Sequence, residues 1–185
     1  MFEELLESLG NALEAAKVPY MIVGGQAVLL HGEPRLTRDV DVVVGLKAGE
    51  WEKIESLAGS LGFTPLIEDL TEFVKKTSVL PVHDKETGLR IDFIFAVSEY
   101  VQKAVGRVRV LEIGTARVRF ASLEDVLILK MIAGRPRDME DALTILIKNP
   151  RTNLEYIRKW LDEFDHSLEE EYRKKFDHLI KEAGL

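Results

Sequence analysis

A short apolar run, Tyr20-Met21-Ile22-Val23, breaks into Gly24-Gly25, and after residues 26–38 a second run opens as Asp39-Val40-Asp41-Val42-Val43-Val44. This pairing narrows the fold more than any other stretch of the chain. Side chains on a strand alternate between faces, so Asp39 and Asp41 project together while Val40 and Val42 point the opposite way, into a core. Glycines directly after a strand let the chain turn sharply, and a helix that follows presents bare backbone N–H groups to an anion. A third carboxylate, Asp92, lies in the same kind of setting within Arg90-Ile91-Asp92-Phe93-Ile94-Phe95.

Carboxylates are costly at strand positions unless a cation faces them. Asp39 and Asp41, about 7 Å apart on one face, repel by ~2–3 kcal/mol at an effective dielectric near 20. A divalent cation reverses the sign of that term. Magnesium takes oxygen ligands and keeps several waters, so two or three carboxylates together with substrate phosphates satisfy it. Three acids suit two Mg²⁺ ions, one for the attacking hydroxyl and one shared with the nucleotide phosphates. The expectation is therefore a phosphoryl- or nucleotidyl-transfer site, with Asp92 completing it if its strand neighbours that of Asp41.

Composition bounds the rest. With 185 residues, 46% apolar and 31% charged, the chain can bury a substantial core and is not of the disordered type. A net charge of −7 argues against a broad nucleic-acid-coating surface, although a local basic strip remains open. The absence of cysteine removes disulfides, thiolate nucleophiles and cysteine-ligated zinc. No apolar run is long enough for a bilayer and Met1-Phe2-Glu3-Glu4 does not open like a signal peptide, so a cytoplasmic location without membrane contact is expected. Two Gln, three Asn and no Cys beside abundant Glu, Lys and Arg lean towards a thermophile.

Periodicity predicts helices from Phe2 and over 26–31, 50–61 and 98–105, and strands over 20–23, 40–44, 63–67, 73–79 and 89–95. Val108–Ile113 and Ala116–Phe120 read as a hairpin around Gly114-Thr115. From Ser122 the pattern is helical only, over roughly 122–133, 138–148, 153–164 and 167–183. The fold class is α+β: a mixed sheet flanked by helices in a core of residues 1–121, then a helical region of 122–185 packed on it.

Gly24-Gly25, Asp39-x-Asp41 and Asp92 resemble the signature of the nucleotidyltransferase superfamily, which shares its fold with DNA polymerase β. The fuller stretch Val23-Gly24-Gly25-Gln26-Ala27, then Gly32, Arg35, Thr37 and Asp39-Val40-Asp41, is similar to small nucleotidyltransferases related to AbiEii toxins. Lys130-Met131-Ile132-Ala133, then Arg135, Arg137-Asp138 and Asp141, resemble that branch's Lys-x-x-Ala and Arg-x-Lys-Asp-x-x-Asp arrangement, with Arg137 in place of Lys. The resemblance covers residues 18–145 and implies transfer of a nucleoside monophosphate from an NTP to a hydroxyl acceptor. It makes Asp39, Asp41 and Asp92 the metal ligands and Asp92 the group that helps deprotonate the acceptor. It gives Gly24 and Gly25 to the triphosphate and brings Lys130 and Asp138 to the site. The acceptor is left open, an RNA end, a protein or a small molecule, and toxin-like members act with an antitoxin partner. A non-catalytic nucleotide-binding or scaffolding module with the same fold is the alternative.

Other basic groups read two ways. Arg35 and Arg38 flank the acidic strand and either meet nucleotide phosphates or neutralise the aspartates. Arg107, Arg109, Arg117 and Arg119 make the hairpin basic, which suits an RNA acceptor or simply a solvated strand face. Lys130 to Asp141 likewise reads as a solvated helix pair held by caps and ion pairs. Asp39, Asp41, Gly45 and Glu50 only faintly resemble a calcium loop, because Val43 and Val44 stand where a ligand and a glycine are required. The four histidines lack metal-ligand spacing.

Overall fold

The computed structural model describes residues 2–32 and 39–185. They form two compact units, residues 2–26 with 39–121, and residues 27–32 with 122–185.

The first unit is built on one sheet. Its elements are α1 (Phe2–Ala15), β1 (Tyr20–Val23), the opening of α2 (Gly24–His31), β2 (Asp39–Val44), a short 3-10 turn at Ala48–Glu50, α3 (Trp51–Ser60), β3 (Phe63–Pro65), α4 (Leu70–Thr77), β4 (Val79–Asp84), β5 (Arg90–Phe95), α5 (Glu99–Val105), β6 (Arg109–Ile113) and β7 (Ala116–Phe120). The sheet has seven strands in the order β3-β4-β5-β2-β1-β7-β6. β2 runs parallel to β5 and β1 parallel to β7, while the other neighbours are antiparallel. The alternation read from the sequence is the one observed, since Val40, Val42, Ile91 and Phe93 are fully buried and the residues between them are less so. α1 buries Leu5, Leu6, Leu9 and Leu13 and packs on β6 and β7. Gly10 permits that approach, because a Cβ there would stand 3.1 Å from Val118 Cγ2.

One element differs in kind from the expectation. Residues 73–79 are not a strand: α4 ends at Thr77 and β4 begins at Val79. Leu70, Phe73, Val74 and Thr77 follow helical spacing, and Asp69 caps the helix by accepting a hydrogen bond from Glu72 N. Strand β4 then carries Pro81, a residue that argues against a strand lying between two others. Its carbonyl accepts from Leu66 N on the β3 side, so the N–H that proline lacks would have pointed past the end of β3 at Pro65. The ladder to β5 is unharmed.

The second unit contains α6 (Leu123–Ala133), α7 (Pro136–Lys148), α8 (Leu154–Leu168) and α9 (Tyr172–Glu182), joined by residues 27–32. Its interior is Leu127, Ile128, Ile145, Leu146, Leu161 and Phe176 with their neighbours. Ser122 caps α6 by accepting from Asp125 N, and Gly134 closes it in the left-handed region at φ 63°. Asn149 Nδ2 donates to His31 O at 2.8 Å, which ties the end of α7 to residues 27–32. Among the described residues no helix is long and apolar enough to cross a membrane.

Candidate functional site

The register of the parallel β2–β5 pair decides whether the three aspartates converge. Asp41 pairs with Asp92, and Asp39 pairs with Arg90. Directly opposed residues share a face, and adjacent strands lie about 4.8 Å apart, so Asp39, Asp41 and Asp92 stand in one patch. Asp92 is therefore on the same side of the sheet as the other two. Asp39 is exposed, and Asp41 and Asp92 are partly buried, so the patch is open to solvent at one end and sheltered at the other.

On the other flank of β2, Val23 pairs with Asp41, and the next residue is Gly24. Gly24 has φ 61°, a conformation that side-chain-bearing residues rarely adopt. A Cβ on Gly24 would stand 1.9 Å from Asp41 Oδ2. Only glycine leaves room for that carboxylate at the point where the strand gives way to α2. The pattern strand, glycine, helix, acidic strand is thus a three-dimensional contact as well as a spacing.

Among the described residues, Arg90 is a cation that faces these acids. Its Nε donates to Asp92 Oδ1 at 2.8 Å. The hydrogen bond to Asp92 raises the guanidinium above its ordinary value, partial burial opposes this, and the charges of Asp92, Asp39 and Asp41 add to the rise. The sequence carries a signal for this pair, because an Arg-x-Asp spacing on a strand puts both side chains on one face. β4 adds His83, which pairs with Arg90, and β3 adds Thr64, which pairs with His83 and has its Oγ1 3.2 Å from His83 Nε2. A polar row therefore crosses four strands, Thr64, His83, Arg90 and Asp39.

Among the described residues no three His, Cys, Asp or Glu side chains are gathered to hold a metal ion as they stand. The donor set still suits a hard cation, because it is all carboxylate oxygen, two donors are adjacent across β2 and β5, and the absence of a Cβ on Gly24 makes room for the Asp41 carboxylate.

Lys130 and Asp138 belong to the second unit and contact each other. Lys130 Nζ lies 2.6 Å from Asp138 Oδ1 and 2.8 Å from Asp141 Oδ2, and its side chain is only 7% exposed. Arg135 Nε donates to Asp138 Oδ2 at 2.6 Å. Burial pushes the Asp138 carboxyl up, but the hydrogen bonds from Arg135 and Lys130 outweigh it and leave it below the ordinary aspartate value. This is a buried ion cluster between α6 and α7, not a solvated surface. Arg38, expected at the phosphates, lies outside the described residues, as do Arg35 and Thr37. On the hairpin, Arg119 is paired with Glu14 while Arg109 and Arg117 are exposed.

The profile of a family described as "Nucleotidyltransferase of unknown function (DUF6036)" matches residues 1–182. Comparison with curated proteins gives no match. Several solved structures share the fold. The antibiotic-resistance factor ANT(2'')-Ia superposes with a TM-score of 0.62 at 16% identity, over 90% of this chain and 94% of its own. An antigenic nucleotidyltransferase-like protein from Paracoccidioides brasiliensis gives 0.56 at 14% identity, over 97% and 91%. A Thermotoga maritima protein assigned as a nucleotidyltransferase gives 0.53 at 18% identity, over 88% and 93%.

Proposed function

Because the chain belongs to this family of nucleotidyltransferases, we propose that it moves a nucleoside monophosphate from an NTP to a hydroxyl acceptor, with Mg²⁺ bound by Asp39, Asp41 and Asp92. The observation that carries this reading is the register that sets Asp41 beside Asp92, with Gly24 against the Asp41 carboxylate.

In this reading the acceptor oxygen attacks the α-phosphorus, the bond from that phosphorus to the bridging oxygen breaks, and pyrophosphate leaves. The backbone N–H groups at Gly24 and Gly25 donate to triphosphate oxygens at the start of α2. Asp92 takes up the hydroxyl proton, a role open to a carboxylate within hydrogen-bond reach of the acceptor. The bound ions would supply charge neutralisation for the phosphates and acidify the attacking hydroxyl. Asp39 and Asp41 hold their position through the rigid ladder of a strand paired on both sides.

ANT(2'')-Ia has been solved with adenylyl-2''-tobramycin, so hydroxylated small molecules stand beside RNA ends and protein side chains in the acceptor search. An antitoxin-like protein partner follows from the AbiEii resemblance alone. The test is incubation with α-labelled NTPs, Mg²⁺ and pools of RNA, protein and hydroxylated metabolites, followed by mass spectrometry of the labelled product. Transfer that falls about a thousandfold in Asp41→Asn, equivalent to ~4 kcal/mol of barrier, supports the enzyme. A second reading, a nucleotide-binding module without turnover, draws on the Arg90–Asp92 ion pair, which occupies one oxygen of a proposed ligand. It expects tight NTP binding and no transfer to any acceptor.

A further inference from the structure

We propose that Arg90 is a built-in counter-cation of the carboxylate patch, holding Asp92 until a divalent ion binds and competing with that ion for it. The inference rests on the reading of Asp39, Asp41 and Asp92 as the metal-binding set.

Two observations carry it. Arg90 and Asp92 lie two residues apart on β5, on one face, with Nε and Oδ1 at 2.8 Å. The β2–β5 register places Asp39 directly beside Arg90 and Asp41 directly beside Asp92, so the guanidinium sits next to the whole patch. Three carboxylates this close repel one another when no cation is present, and Arg90 relieves that repulsion from within the strand.

Arg90 is also placed to leave. Its side chain is 49% exposed while that of Asp92 is 18% exposed, so the guanidinium can swing into water while the carboxylate stays on the sheet. Lys130 offers the contrast: at 7% exposure and between two carboxylates, it has no such route. A divalent ion arriving at the patch must break the Arg90–Asp92 contact to gain Asp92 as a ligand. The apparent affinity for the metal alone is lowered accordingly, because only the fraction of molecules with Asp92 released is competent. Arg90 is thus a positioning residue that sets the threshold for metal loading.

The experiment measures Mn²⁺ binding to the nucleotide-free protein by electron paramagnetic resonance of the free ion. Wild type is compared with Arg90→Gln, Arg90→Lys and Asp41→Asn. Arg90→Gln is expected to bind Mn²⁺ about tenfold more tightly than wild type, the scale of removing one close opposing charge pair. Arg90→Lys, which keeps the charge but loses the fork, is expected to gain about threefold, and it carries the test if Arg90→Gln does not fold. A merely structural role for Arg90 would weaken Mn²⁺ binding, so unchanged or weaker binding in both variants overturns the proposal. If Asp41→Asn abolishes binding while the Arg90 variants match wild type, the metal site stands and the competition does not. If wild type and Asp41→Asn bind alike or not at all, the metal-site reading falls and this inference falls with it.

Discussion

Two clusters among the described residues set cations against carboxylates in opposite ways. On the β2–β5 face the carboxylates are fixed by strand register and the cation, Arg90, is half in water. Between α6 and α7 the central pair is buried, Lys130 at 7% exposed and Asp138 at 3%, and Arg135 closes the cluster from the solvent side. The first arrangement holds like charges close and leaves their neutralisation exchangeable. The second locks its charges against each other, and breaking such a pair leaves a buried ion without compensation. The comparison teaches that proximity of opposite charges does not by itself mark a site. The candidate site differs from the structural cluster in the exposure of its cation and the strand-held position of its anions.

The comparison can be broken most visibly at Lys130. Lys130→Ala leaves Asp138 and Asp141 under-compensated in the interior and should cost about 3–5 kcal/mol in urea unfolding. A cost below ~1 kcal/mol would mean the cluster is not buried as described. Gly24→Ala comes next. The left-handed backbone alone costs about 1–2 kcal/mol, and the added Cβ displaces the Asp41 carboxylate. Nucleotidyl transfer should therefore fall further than stability does, measured as the ratio of kcat loss to the shift in unfolding midpoint.

Acid sharpens the same contrast. The Asp138 carboxyl lies below its ordinary value in the folded protein, so its contribution to stability is full above the unfolded aspartate value of about 3.9 and is lost as the pH falls through the lower folded value. Unfolding free energy should decline from about pH 5 downward, and Asp138→Asn should flatten part of that slope. Asp84 and Asp177 are lowered as well, so some slope should survive the substitution. The smallest effect belongs to Arg90. An ion pair with a half-exposed partner contributes little, and Arg90→Gln should move the unfolding free energy by less than about 1 kcal/mol. A larger loss would place Arg90 among the structural cations, with Lys130.

Much of the site was legible in the sequence because strand periodicity and chemistry coincide there. Alternating Asp and Val in residues 39–42 fixes which side chains share a face, and Gly24-Gly25 marks the point where a carboxylate can lie against backbone. What spacing could not give was the register. One residue of slip between β2 and β5 would have put Asp92 on the opposite face from Asp41. Residues 70–84 misled because Phe73-Val74 reads equally well as strand or helix over a short window, and Pro81 hides a strand whose missing N–H happens to face the end of β3. Lys130, Asp138 and Asp141 look like a solvated helix pair in sequence, since charged residues are rarely buried unless paired. Their pairing became visible only once α6 and α7 were packed together. Arg90 lies two positions from Asp92, so the same strand alternation that groups the acids brings this cation onto their face.

The most direct measurement of the central claim is anomalous scattering from Mn²⁺ in crystals grown with a non-hydrolysable NTP. The account predicts a peak about 2.1 Å from carboxylate oxygens of Asp41 and Asp92, with the triphosphate against Gly24 and Gly25 and Arg90 withdrawn from Asp92. Nucleotide bound elsewhere, or no Mn²⁺ between β2 and β5 while Arg90 stays on Asp92, would contradict it.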